Sequence, residues 1–254
     1  MVTPTSRIIP RNATGAGLPP GPPAPRVASP RMGVLGASQP WLEWSWIDRH
    51  PGEIWNAVDQ HIQLTLIAVG IGLALSLPLG LVAWRWRRWE KPVYGMTGVL
   101  FTIPSLALFA FLIPITGLGT TTAEIGLVSY TLLILVRNIV AGLDAVPGEV
   151  RDAAKGLGYG PARRLLAVDL PLATPAIMAG IRLATVTTVG LVTVASLVGA
   201  GGGLGTLIAL GQQNNFRTQV VLGAGLSIVL AALFDAALVL VQRAVTPWAR
   251  KGAG

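Results

Sequence analysis

The chain has no cysteine in 254 residues, which excludes disulfide frameworks and thiolate metal centres. Histidine is nearly absent as well. Only His50 and His61 occur, without a metal-ligand spacing, so neither a metal nor a bound cofactor is expected. Charge is the third scarcity: Asp, Glu, Lys and Arg make up 12% of the residues, about half the roughly 25% usual in soluble domains. In their place stand apolar side chains, 52% of the total. The excess of eight positive charges does not form a nucleic-acid surface. Four arginines (Arg7, Arg11, Arg26, Arg31) lie in the first 31 residues and most of the others flank apolar runs, the distribution that sets membrane orientation.

What remains is organised by hydropathy. Residues 1–40 are rich in Pro, Gly, Arg and Ser, include PPGPPAP at 19–25, and show no hydrophobic period; such a tail buries no core and is expected to be disordered. No apolar stretch of signal-peptide length follows its early arginines. Residues 41–61 carry four tryptophans among charges and read as an interfacial segment at the lipid headgroups. A predominantly apolar block, 62–247, follows, and 248–254 form a short C-terminal tail.

Within that block five stretches are long enough to cross a hydrocarbon core, which takes about 20 helical residues. They are 62–83, 93–116, 122–143, 175–200 and 219–246. Each is far longer than a spanning strand of about 10 residues and lacks a period of two. The fold class expected is therefore an all-α membrane protein with five transmembrane helices. Lys and Arg give its orientation. Arg85, Arg87, Arg88, Lys91, Arg151, Lys155, Arg163, Arg164, Arg250 and Lys251 fall on one side, and Arg217 on the other, which puts the N-terminus outside and the C-terminus in the cytoplasm. A start at Met32 in place of Met1 would leave Arg49 as the one basic residue ahead of the first span on the outer side.

The segment 146–171 breaks the apolar pattern with RDAAKGLGYGPARRLLAVDLP at 151–171. Residues 149–157 suit two helical turns, Gly158 and Gly160 allow a reversal, and Pro161 suits the first turn of a second short helix reaching about Val168. In the first helix Val150, Ala153, Ala154 and Leu157 share a face, with Arg151, Asp152 and Lys155 off it. By composition alone this is either a cytoplasmic elbow on the membrane surface or a small apolar knob for another protein.

Spacing adds to that reading. Asp152-Ala153-Ala154, three residues, Gly158, nine residues, then Val168-Asp169-Leu170-Pro171 resembles the EAA loop of ABC importer permeases, with Asp for Glu and Val for Ile. LFTIPSLALFAFLIPITGLG at 100–119, the Arg137-Asn138 pair, SLVGAGGGLGTLI at 196–208 and RAVTP at 243–247 are similar to the osmoprotectant branch, the permeases for glycine betaine, carnitine, choline or proline betaine. Methionine permeases, with the same five-helix core, are the nearest alternative. The resemblance implies a type I importer permease in a bacterial cell membrane. It implies an ABC ATPase subunit, a second permease copy or paralogue, and an extracytoplasmic substrate-binding protein as partners. It also implies that Asp152, Ala153, Ala154, Gly158, Leu170 and Pro171 couple the chain to the ATPase.

Three further features are candidates for the path through the membrane. Pro104-Ser105 interrupts the second span, and either lines the path or is a packing kink. Asp235 lies near the midplane of the fifth span, where an ionisable group needs a cavity or a partner; it either attracts a cationic solute or pairs with a group such as Arg182. GAGGGLG at 199–205 lacks the GK[ST] ending of a phosphate loop and reads as flexible or close-packed backbone at the outer end of the fourth span, either part of an external gate or a docking surface for a binding protein. The eight tryptophans all fall at expected interfaces, leaving no aromatic cage for a quaternary ammonium. A channel or secondary transporter working without ATP is the alternative of another class.

Overall fold

The computed structural model describes residues 40–250, with the side chains of 249 and 250 excepted. The expected tail, 1–40, thus falls outside the described residues apart from Pro40, as does most of 248–254. All regular structure among the described residues is helical.

A short helix α1 (Trp44–Arg49) leads to α2 (Pro51–Arg85), 35 residues long. Pro51 starts α2 in the first turn, where its missing N–H costs nothing. The tryptophan-rich segment and the first span are therefore one helix from Pro51 onward, continuous through His61. Pro78 lies inside it without ending it, as membrane helices permit when neighbours cover the freed carbonyl.

The second span is broken. Helix α3 (Glu90–Thr102) and helix α4 (Ser105–Thr116) meet at Ile103-Pro104, and the two arms are bent by 93°. Pro104 causes this: Ile103 before it is held extended, at φ −66° and ψ 127°, because the proline ring excludes the helical region there. Tyr130 supplies the missing partner, donating its hydroxyl to the Ile103 carbonyl.

Helix α5 (Thr120–Asp144) is the centre of the subunit. Two thirds of its most apolar window (67%) is buried against other helices, whereas the corresponding value for the last span is 6%. Leu64 and Ala68 of α2, Phe109 of α4, and Ala123 and Leu127 of α5 form one core cluster. Ile139 and Leu143 of α5 form another with Ala173. Small residues at these contacts let backbones approach closely.

The fourth span begins earlier than its hydropathy indicates. Helix α6 (Gly148–Gly156) is followed by α7 (Pro161–Arg164), a wide π-type turn at Leu165–Asp169, and α8 (Leu170–Leu197), so that the helix is continuous from Pro161 to Leu197. The wide turn precedes Pro171, which lacks the N–H for the carbonyl four residues back. Helix α9 (Leu204–Gln213) and helix α10 (Arg217–Val245) complete the subunit. Four helices are long and apolar enough to span, and the bent α3–α4 pair makes a fifth.

Candidate functional site

Helix α6 is built as a rigid projection. Glu149 in its first turn and Lys155 in its last complement the helix dipole. Its end is closed by two backbone bonds, from Tyr159 N–H to Ala154 O at 3.0 Å and from Gly158 N–H to Lys155 O at 2.9 Å. This is the Schellman arrangement, and it requires Gly158 at φ +78°. A side chain at Gly158 would meet nothing within 4 Å, so the glycine serves the backbone turn and not a close contact inside the subunit.

The face of α6 divides. Ala154 is buried within the subunit, while Val150, Ala153 and Leu157 are exposed, Leu157 at 77%. Asp152 stands beside them with its side chain 73% exposed, bonded to Lys155 at 2.8 Å. That bond holds the Asp152 carboxyl below the usual carboxylate range. Of the expected coupling residues, Asp152, Ala153 and Gly158 thus reach the surface together, and Ala154 points inward. Leu170 packs with Leu143, Leu165 and Ala173, and Pro171 occupies the first turn of α8.

What fixes this projection to the bundle is a residue that motif spacing passes over. Asp169 is fully buried and accepts from Arg151 Nε at 2.7 Å and from Arg164 Nε at 3.3 Å. Arg151 also donates through Nη2 to the Leu143 carbonyl at the end of α5 and lies 5.2 Å from the centre of the Trp84 ring of α2. A single guanidinium therefore ties α6 to α2, to α5 and to the start of α8.

In the spanning region Asp235 of α10 is paired. Arg182 of α8 donates to both its oxygens, at 2.9 and 3.0 Å, and makes a longer contact of 3.5 Å with Gln242. A fork of this kind spends the carboxylate's charge on a neighbouring helix. Pro104 is exposed and Ser105 half-buried at the α3–α4 corner, remote in sequence from that pair.

The glycine-rich segment is held as a turn before α9. Gly199, Gly201 and Gly203 all have positive φ. Gln60 accepts from Gly203 N–H at 3.2 Å, and His61 Nδ1 accepts from Leu204 N–H at 3.2 Å. His61 Nε2 then faces the Val189 carbonyl at 3.0 Å, which requires the proton on Nε2. Glycine here serves a sharp turn clamped by α2. Sequence reading also passed over Glu124, one turn into α5. Both of its carboxylate oxygens are buried and find no hydrogen-bond partner among the described residues.

This architecture, a five-span bundle with a projecting loop helix, has known counterparts. Residues 68–250 match the family described as "Binding-protein-dependent transport system inner membrane component". The chain belongs to this family and is a permease of the ABC importer type. Among curated relatives, it is 36% identical over 197 residues to the choline transport system permease protein OpuBB of Bacillus subtilis (strain 168), covering 77% of this chain and 90% of that one. It is 34% identical to the glycine betaine/carnitine/choline transport system permease protein OpuCB of the same organism, over 82% of this chain and 95% of the relative. It is 36% identical to the osmoprotectant import permease protein OsmW of Salmonella typhimurium, over 74% and 89% respectively. In fold it is similar to the MetNI methionine ABC transporter in inward facing conformations, with a TM-score of 0.70 and 22% identity over 78% of this chain and 99% of that one.

Proposed function

We propose that the chain is the membrane-spanning subunit of an ATP-driven importer for osmoprotectants: glycine betaine, carnitine, choline or proline betaine. The observation that carries this reading is the α6 projection, whose apolar residues Val150, Ala153 and Leu157 are bare in the subunit. Small apolar faces on a braced helix suit insertion into a groove of another protein. The similarity to permeases named for choline, carnitine and glycine betaine supplies the solute class.

In this reading Asp152, Ala153, Ala154, Gly158, Leu170 and Pro171 belong to the segment that meets a separate ATPase. A second permease copy or a paralogue covers the apolar surface of α10, and an extracytoplasmic binding protein delivers the solute. The N-terminus is outside and the C-terminus cytoplasmic, as the Lys and Arg distribution indicates. ATP binding draws the two ATPase subunits together, and each Arg151-braced projection transmits that movement to its bundle. The cycle is a two-state equilibrium biased by differential contacts. The path includes the corner at Pro104-Ser105. Asp235 serves as a structural partner of Arg182.

The test is uptake into proteoliposomes holding the permease, its ATPase and its binding protein. Glycine betaine or choline should accumulate only with ATP and binding protein together. Accumulation by the permease alone, without ATP, would return the chain to the channel or secondary-transporter class.

A further inference from the structure

The sequence draws attention to Asp235 as the carboxylate for a cationic solute, but its two oxygens are already occupied by Arg182. Among the described residues, the carboxylate whose oxygens are buried without a hydrogen-bond partner is Glu124. It lies at the end of α5 opposite to Leu143, where Arg151 anchors the projection. An ionised carboxylate buried with neither a bond nor a counter-charge costs several kcal/mol, so it persists only if something meets it or neutralises it.

Glu124 lines a cavity of about 380 Å³ between α2, α5 and the glycine-rich turn. Gln60, Gln63 and Thr121 contribute polar surface to it, and Leu64 and Ile67 an apolar wall. No lysine or arginine lines it. The nearby amides are engaged elsewhere: Gln60 Oε1 accepts from Gly203 N–H at 3.2 Å, and Gln63 Nε2 donates to Asp59 at 2.7 Å. The cavity therefore presents threonine hydroxyls and aliphatic surface, with the Glu124 carboxylate in its wall and both oxygens covered, so that a small rotation of that side chain brings its charge to the cavity. That combination favours a small organic cation whose charge is wrapped in methyl groups over a neutral solute of the same shape.

We propose that Glu124 receives the ammonium group of the transported solute at the end of the path remote from the coupling projection, and so selects cationic or zwitterionic solutes. This rests on the osmoprotectant reading above, which names solutes of that chemistry. Because the same glycine-rich turn closes the cavity and begins α9, occupation of the cavity bears directly on the packing of α2 against α9.

The experiment labels the assembled transporter in membranes with a hydrophobic carbodiimide and follows modification of Glu124 by mass spectrometry. It is paired with uptake by the Glu124→Gln variant, which keeps the shape and removes the charge. Choline should slow the labelling of Glu124, and its uncharged isostere 3,3-dimethyl-1-butanol should not. Glu124→Gln should raise the choline concentration for half-maximal uptake about tenfold, the loss of one charge-assisted contact. Equal protection by both isosteres, or an unchanged half-maximal choline concentration in Glu124→Gln, overturns the proposal. Charge-dependent protection in a transporter that moves neither choline nor glycine betaine would keep the site and remove the osmoprotectant reading.

Discussion

Arg151 and Asp169 are 18 residues apart in sequence and meet at 2.7 Å, with the carboxylate fully buried. Through this contact the short helix α6 is made continuous, mechanically, with the long helices of the bundle. The second guanidinium on Asp169, from Arg164, closes the brace from the α7 side.

Asp169→Asn keeps the shape and removes the charge that both arginines share. Breaking a buried pair from one side costs about 3–5 kcal/mol, and the figure falls toward the lower end here because the arginines keep about a fifth of their side-chain surface exposed. The purified subunit should melt several degrees lower, and the assembled transporter should hydrolyse ATP with reduced uptake. A wild-type melting point together with wild-type uptake would show that the brace is dispensable.

Gly158→Val tests the turn itself. A β-branched residue at φ +78° carries a penalty of about 1–2 kcal/mol or more, and the added side chain meets nothing inside the subunit. The expected outcome is normal insertion, with the ratio of solute imported to ATP hydrolysed falling severalfold. Gly158→Asn, a residue that tolerates left-handed backbone, should retain more coupling than Gly158→Val.

Asp235→Asn should impair choline and glycine betaine transport by the same factor, since its charge is committed to Arg182. The swapped pair Arg182→Asp with Asp235→Arg should recover part of the lost expression. A defect confined to choline would instead assign Asp235 to the solute path.

Much of this was legible in the sequence, for physical reasons that also mark where legibility ends. Runs of twenty apolar residues report the bilayer directly, so the four spans and the bent pair include the stretches that hydropathy marks, although the first and fourth helices begin earlier, at Pro51 and Pro161. The Asp152 to Pro171 spacing located the projection, because glycine and proline mark turns by their backbone alone. Hydropathy could not reveal that α2 begins at Pro51, since polar residues at an interface extend a helix as readily as they end one. Nor could it separate a kink from a right-angle corner at Pro104, which depends on Tyr130 capping the freed Ile103 carbonyl from another helix. Partners remote in sequence were hidden for the same reason: Asp169 occupies the unspecified position of the motif, and Glu124 reads as a residue at a span's edge. Asp235 could be placed near the midplane, but whether Arg182 faced it needed the packing of α8 against α10.

The coupling role of α6 is tested most directly by exploiting the absence of cysteine from the chain. Single cysteines at Val150, at Ala153, and at Leu240, which is exposed on α10, can each carry a photoactivatable maleimide in the assembled transporter. Illumination should attach the ATPase subunit to positions 150 and 153 and leave position 240 free of it. Absence of an ATPase adduct at both 150 and 153, in a complex that still transports, would contradict the assignment of α6 as the contact through which ATP drives this permease.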